Sequence, residues 1–78
     1  MKKPKCYLEV VLYFQDGTKD WVSPVEDTDK DVFRDGSNVY VINHYNTYDY
    51  NISDLAKVVS TKVVDDEIIE SEILYNFE

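Results

Sequence analysis

Cysteine, histidine, glycine and proline are all scarce in this 78-residue chain, which has one cysteine, one histidine, two glycines and two prolines. A single cysteine, Cys6, excludes an intrachain disulfide. Because His44 is the only histidine, the chain has too few ligands for a Cys/His zinc site. The sequence also lacks a glycine-rich phosphate loop and a dinucleotide-binding fingerprint. A chain without disulfides is typical of a reducing compartment, so we expect it to act in the cytoplasm.

Basic residues and long apolar runs are also in short supply. The chain has 16 Asp and Glu against eight Lys and Arg, a net charge of −8, and three of those bases are Lys2, Lys3 and Lys5. This charge opposes direct binding to nucleic acid or to an anionic membrane, because both are polyanions. No run approaches the ~20 apolar residues of a membrane-spanning helix. We therefore expect neither partner.

The remaining composition is that of one small folded domain. Hydrophobic residues make up 44% of the chain and aromatic residues 14%, which is too apolar for a disordered acidic tail. A chain of this length supports a single hydrophobic core. We expect one domain over residues 1–78, with residues 1–5 as a frayed basic N-terminus.

The first third of the chain has the pattern of a β-hairpin. Every second residue over 6–14 is apolar, which predicts a strand with one inward face. Asp16-Gly17 follows and favours a two-residue turn into a second strand over 18–23. This register places Trp21 opposite Leu12, on the face that we expect to form the core.

The middle third predicts three short strands joined by turns. A strand over 31–34 is followed by the turn Asp35-Gly36 and a strand over 38–44. A second turn at Tyr45-Asn46 leads into a strand over 47–52. The segment between the first hairpin and these strands has the polar composition of a connection.

Tyrosines are concentrated in these middle strands. Tyr40 lies in one strand and Tyr48 and Tyr50 in the next, and we expect the two rows to stack across their hairpin. After them, Ser53 can cap a single helical turn over 54–56.

The last third contains a strand followed by an ambiguous segment. Residues 57–64 are rich in β-branched side chains and predict a strand. Residues 67–78 alternate as a strand does, but Ile69, Ile73 and Phe77 also have the i, i+4 spacing of a helix. The strand accounts for more residues, and we favour it without discarding the helix.

These elements predict an all-β fold. We expect a small antiparallel meander of six to seven short strands, curled into a twisted sheet or a small barrel. The alternative is an α+β fold in which a C-terminal helix packs on the sheet.

One acidic segment has the spacing that opens a calcium-binding loop. Asp27, Asp29 and Asp31 occupy alternate positions, as the first three ligands of such a loop do. The glycine expected next is Val32 and the closing glutamate is Asn38, so we interpret the segment as a solvated acidic loop without a metal.

The sequence offers little for catalysis. A hydrolytic site needs a nucleophile, a base and a group that orients the base. Cys6 begins a strand whose inward face it shares, so we expect a small core residue there. His44 ends a tyrosine-rich strand and fits a partly exposed structural imidazole. We therefore expect no enzyme activity and no cofactor.

Acidic residues are concentrated near the C-terminus. Glu70 and Glu72 share one face if the segment is a strand, and residues two apart on a strand lie ~6.7 Å apart, about twice the ~3.4 Å axial rise per phosphate of one DNA strand. An extended acidic strand can therefore imitate a phosphate backbone. We call this candidate partner-binding set the acidic row: Asp65, Asp66, Glu67, Glu70 and Glu72.

In size, acidity and lack of a catalytic motif, the chain resembles the phage-encoded anti-CRISPR and anti-restriction proteins. That resemblance implies an inhibitor, encoded by a phage or another mobile element, that blocks a nucleic-acid-binding machine by nucleic-acid mimicry or protein docking. Its partner would be a protein with a basic surface, such as a nuclease or a CRISPR effector.

The alternative function is a non-catalytic structural or adaptor module. Tyrosine rings are rigid and amphipathic, and they are enriched at protein interfaces. Such a module would form a homodimer or bind another protein through an aromatic patch, which we predict to consist of Tyr40, Tyr45, Tyr48 and Tyr50.

Overall fold

The computed structural model describes residues 6–78 and places seven strands and one short helix there. Every strand pairing is antiparallel, which confirms the all-β prediction and excludes the C-terminal helix. The basic N-terminus predicted over residues 1–5 lies outside the described part. The elements are β1 (Cys6–Phe14), β2 (Lys19–Val25), α1 (Thr28–Asp31), β3 (Val32–Asp35), β4 (Asn38–Ile42), β5 (Thr47–Asn51), β6 (Leu55–Val64) and β7 (Glu67–Asn76).

The strands divide into two sheets. One sheet has four strands in the order β2-β1-β6-β7, and the other has three in the order β3-β4-β5. The chain leaves the first sheet after β2, forms the second as a meander, and returns as β6 beside β1. β1 and β6 are long and apolar, and each pairs with a neighbour on both sides. They form the centre of the larger sheet.

A single aliphatic core lies between the two sheets. Val10 and Leu12 of β1 and Val58 of β6 have no exposed surface, and Val39 and Val41 of β4 meet them from the smaller sheet. We call the side of the four-stranded sheet that carries Leu8, Val10 and Leu12 the covered face, and the opposite side, which carries Val11, the open face. Alternation along β1 assigns these two faces.

The first hairpin differs from its prediction by one residue of register. The Phe14 N–H donates to the Thr18 carbonyl at 2.9 Å, so the loop has three residues and ends at Gly17 with a φ of +90°. Trp21 consequently pairs with Val11 instead of Leu12. A one-residue shift moves a side chain to the other face of a sheet. The prediction that Trp21 lies in the core was therefore wrong, and its side chain is 52% exposed on the open face.

The predicted stacking of the two tyrosine rows was also wrong. The loop between β4 and β5 pairs Ile42 with Thr47, and this register sets Tyr40 opposite Asp49 and Tyr48 opposite Val41. Tyr40 therefore lies on the face opposite to Tyr48.

The segment after β5 is a tight turn without a helix. β6 begins at Leu55, inside the region where a helical turn was predicted. The side chain of Asn51 accepts hydrogen bonds from the backbone N–H of Ser53, at 2.9 Å, and from its hydroxyl, at 2.7 Å. This turn needs no helix cap, so the prediction for residues 54–56 was wrong.

Candidate functional site

The C-terminal strand β7 forms an exposed edge of the four-stranded sheet. It pairs with β6 on one side only, and every residue from Glu67 to Ile73 is exposed. Glu67, Glu70 and Glu72 of the acidic row lie in this stretch. The strand is therefore a frame on which charged side chains are held in order and face solvent.

A β-bulge aligns these three glutamates. Glu67 and Glu70 are three residues apart, and in a regular strand they would lie on opposite faces. Ile69 is inserted without a partner, because Lys62 pairs with Glu70 while Val63 pairs with Ile68. The extra residue returns Glu67 to the face of Glu70, as bulges do when they re-aim side chains.

The register also spaces the glutamates evenly. Their partners on β6 are alternate residues of that strand: Val64 for Glu67, Lys62 for Glu70 and Ser60 for Glu72. Alternate residues of a strand lie ~6.7 Å apart, so the three positions extend over about 13 Å. This is the periodicity that the sequence predicted for Glu70 and Glu72, extended by one glutamate.

The turn between β6 and β7 carries the two aspartates of the acidic row. Asp65 and Asp66 have φ angles of 51° and 66°, in the left-handed region that hairpin turns require. Aspartate tolerates this conformation better than most side chains. Both residues are exposed, so the acidic row continues from the strand around the tip of the hairpin.

Within residues 6–78, no ion pair joins a glutamate of the acidic row to a basic side chain. Lys62 is the cross-strand neighbour of Glu70, but the two side chains form no ion pair. On the other side, Thr28 of α1 lines a small groove together with Glu70 and Glu72. This helix carries further carboxylates, which add to the negative potential.

The candidate aromatic patch does not form one surface. Tyr45 is 77% exposed in the loop after β4, and Tyr40 stacks on Phe33 with ring centroids 5.3 Å apart. Tyr50 faces the other way and packs against Phe14 at 5.9 Å. Tyr48 shares the face of Tyr50. The four tyrosines are thus distributed over two faces and a loop.

Tyr50 has a structural role at the seam between the sheets. Its hydroxyl donates to an Asp20 carboxylate oxygen at 3.1 Å. Burial raises the pKa of Tyr50 above its usual value, and the adjacent Asp20 carboxylate raises it further. The ring therefore stays neutral and closes the edge of the core.

The sequence interpretation missed an apolar row on the open face. Trp21, Val11, Val59 and Ile73 are direct cross-strand neighbours on β2, β1, β6 and β7 in that order. Trp21 and Ile73 are 52% and 57% exposed, at the two ends. The adjacent valine pairs of β1 and β6 signal this row, because consecutive apolar residues in a strand indicate two apolar faces.

Two lysines lie in the cross-strand row next to this apolar row, where both pair with Tyr13. The Lys19 ammonium lies 5.2 Å from the centre of the Trp21 ring, and the Lys57 ammonium lies 4.9 Å from the Tyr13 ring. The remaining charged side chain at the paired positions of the open face is Glu9. The face is therefore poor in acids, although the chain as a whole is rich in them.

Cys6 and His44 come to the same groove. They line an open pocket of about 450 Å³ with Glu26, whose carboxylate lies 2.8 Å from His44 Nε2. No hydrogen bond within residues 6–78 joins Cys6 to His44. Cys6 is the first residue of β1 and is exposed, so the prediction of a core position was wrong.

The three aspartates around α1 mainly stabilise their own helical turn. Asp27 caps the helix by accepting from the Asp29 N–H at 3.0 Å, and Asp31 accepts from the Asp27 N–H at 3.1 Å. Within residues 6–78, no group of three or more acidic, histidine or cysteine side chains is arranged to hold a metal ion.

Similarity to known proteins does not identify a function for this chain, so a function has to be inferred from the fold and these surfaces. The chain matches no protein-family model, and no curated protein or solved structure matches it. No helix in residues 6–78 is long and apolar enough to cross a lipid bilayer.

Proposed function

We propose that the chain is a small, non-catalytic cytoplasmic inhibitor that occupies the basic nucleic-acid channel of a nuclease or CRISPR effector. The observation that supports this function is the even placement of Glu67, Glu70 and Glu72 on an exposed edge strand. Their ~6.7 Å spacing corresponds to about every second phosphate along one DNA strand.

Rigidity supports the same function. A decoy competes with nucleic acid only if its charges are held in place before binding, because ordering flexible side chains costs free energy. β7 is hydrogen-bonded along its length to β6, which is itself a central strand. The backbone that carries the acidic row is thus fixed in the free protein.

The test is competition between this protein and duplex DNA. Restriction endonucleases and CRISPR effectors, each with its fluorescent DNA substrate, are titrated with the chain at low and high salt. We expect release of DNA from the susceptible enzyme, with an apparent affinity that falls steeply as salt rises, because opposite charges are screened.

A charge-reversal variant identifies the surface. Glu70→Lys combined with Glu72→Lys is expected to weaken competition about 100-fold, at about tenfold per lost contact. The matched control is Asp35→Lys with Asp49→Lys, which changes the net charge equally on the outer face of the smaller sheet and should have little effect. Equal losses in both variants would show that only net charge matters, and the proposal would fail.

A further inference from the structure

Within residues 6–78, the smaller sheet packs on the covered face of the four-stranded sheet, and the open face has no partner sheet. Val11 and Val63 at the centre of the open face are 6% and 5% exposed, and the exposed apolar side chains lie towards its edges. The apolar row of Trp21, Val11, Val59 and Ile73 crosses all four strands, and Tyr7, Val63 and Ile68 form a second cross-strand row on the same face. Two of the largest side chains in these rows, those of Trp21 and Ile68, are 52% and 66% exposed. Several exposed apolar side chains on one face of a sheet are a feature of interaction surfaces.

The charges of the open face restrict what can cover it. Its paired positions include Lys19, Lys57 and Glu9, a sum of +1, in a chain whose net charge is −8. A basic protein is attracted to the acidic row and not to this face. A second copy of the chain, which is repelled at its other surfaces, meets the least repulsion here.

The dimensions of the face suit a pair of copies. Strands of seven to ten residues form it. Four strands ~4.8 Å apart and about nine residues long at ~3.3 Å each give roughly 19 × 30 Å, or about 570 Å². Two such faces, taken as flat, bury about 1,100 Å² in total. This area is close to ~1,200 Å², the lower end of the range of total buried surface in specific interfaces.

We propose that two copies of this chain associate through their open faces and form a symmetric sheet-on-sheet dimer. Aligned packing of two sheets at about 10 Å is a common solution for apolar sheet faces. A two-fold axis uses the same patch on both subunits, so the apolar row of each copy contributes to one shared interface. Glu67, Glu70 and Glu72 of the acidic row lie on the opposite face of β7 and stay exposed in the dimer.

Trp21 provides a direct readout, because it is the only tryptophan in the chain. Mass is measured by sedimentation and light scattering from low to high micromolar concentration, with tryptophan fluorescence recorded on the same samples. We expect a monomer–dimer equilibrium in which Trp21 emission shifts to the blue as the dimer forms. A monomer at every concentration, or a dimer with unchanged emission, overturns the proposal.

The surface is identified by a matched pair of variants. Trp21→Lys with Ile73→Lys is expected to raise the dissociation constant of the dimer at least 30-fold, the loss typical of one interface hot spot. Both side chains are more than half exposed, so the monomer should keep its fold, which circular dichroism checks. The control, Phe33→Lys with Tyr45→Lys, replaces two exposed rings of the smaller sheet region and should dimerise normally.

The remaining outcomes also decide the question. A dimer that survives the open-face variant places the interface elsewhere and refutes the proposal. Dimerisation should persist in Glu70→Lys/Glu72→Lys, so failure of the dimer and failure of the inhibitor function are separate results. Binding of a different protein to a chain that stays monomeric likewise refutes the second copy as the occupant.

Discussion

The two faces of the four-stranded sheet carry similar aliphatic side chains but differ in what covers them. On the covered face Val10 and Leu12 are fully buried by the smaller sheet. On the open face Val11 is 6% exposed, while Trp21 and Ile73 are 52% and 57% exposed. The covered face therefore accounts for stability, and the open face offers apolar area that the folded monomer does not use.

The largest expected effect contrasts one aliphatic residue from each face. Leu12→Ala leaves a cavity between the sheets and should lower the free energy of unfolding by about 2–5 kcal/mol. Ile73→Ala removes a side chain that is 57% exposed and should cost less than about 1 kcal/mol in the monomer. Urea denaturation measures both losses of unfolding free energy, at a protein concentration too low for the dimer to form. Equal losses would contradict the distinction between the faces.

A smaller effect is expected where the covered face meets the smaller sheet. Tyr50→Phe removes the hydrogen bond to Asp20 and should cost about 1 kcal/mol at neutral pH. Tyr45→Phe, in an exposed loop, is the control and should cost little.

The contribution of Tyr50 should also depend on pH. Burial raises the pKa of Tyr50 above 10.0, so the folded protein holds the phenolic proton more tightly than the unfolded chain does. Its stabilisation is complete below pH ~10 and is lost as the pH rises further, because the unfolded chain ionises first. The stability difference between the wild type and Tyr50→Phe should therefore shrink above pH ~10 in denaturation curves. A constant difference across that range would contradict the assignment.

Alternation of side chains predicted the strands well and their faces only in part. The bounds of β1 and the strand character of β7 followed from period-2 patterns, which report burial directly. The face of Trp21 did not follow from this pattern, because Asp16-Gly17 fits both a two-residue and a three-residue loop. The loop length sets the register of β2 and therefore the face of the sheet on which each of its side chains lies.

The candidate site likewise has one part that alternation along a strand predicts and one part that it does not. Glu70 and Glu72 share a face as their spacing predicts, whereas Glu67 joins them only through the bulge at Ile69. A bulge depends on how two strands fit together, so one strand's sequence does not reveal it. The dispersal of the tyrosines has the same cause, since cross-strand register and not composition decides which rings meet.

The smallest effect concerns the two hairpin turns of the four-stranded sheet. The β1–β2 turn has Gly17 at its left-handed position, while the β6–β7 turn has Asp66 there, with φ angles of 90° and 66°. A left-handed conformation costs most non-glycine residues roughly 1–2 kcal/mol, and aspartate somewhat less. Asp66→Gly should therefore raise the free energy of unfolding by up to about 1 kcal/mol.

The reverse change supplies the control for this turn. Gly17→Ala places a Cβ where no atom lies within 4 Å, so its loss of about 1 kcal/mol would be conformational and not steric. In one outcome, Asp66→Gly stabilises the chain and also weakens competition with DNA. That result would show that Asp66 lowers the stability of the turn and contributes a charge to binding at the tip of the acidic row. If Asp66→Gly stabilises the chain and leaves competition with DNA unchanged, Asp66 is not part of the binding surface. The binding surface would then consist of the three glutamates of β7, none of which has a left-handed backbone conformation.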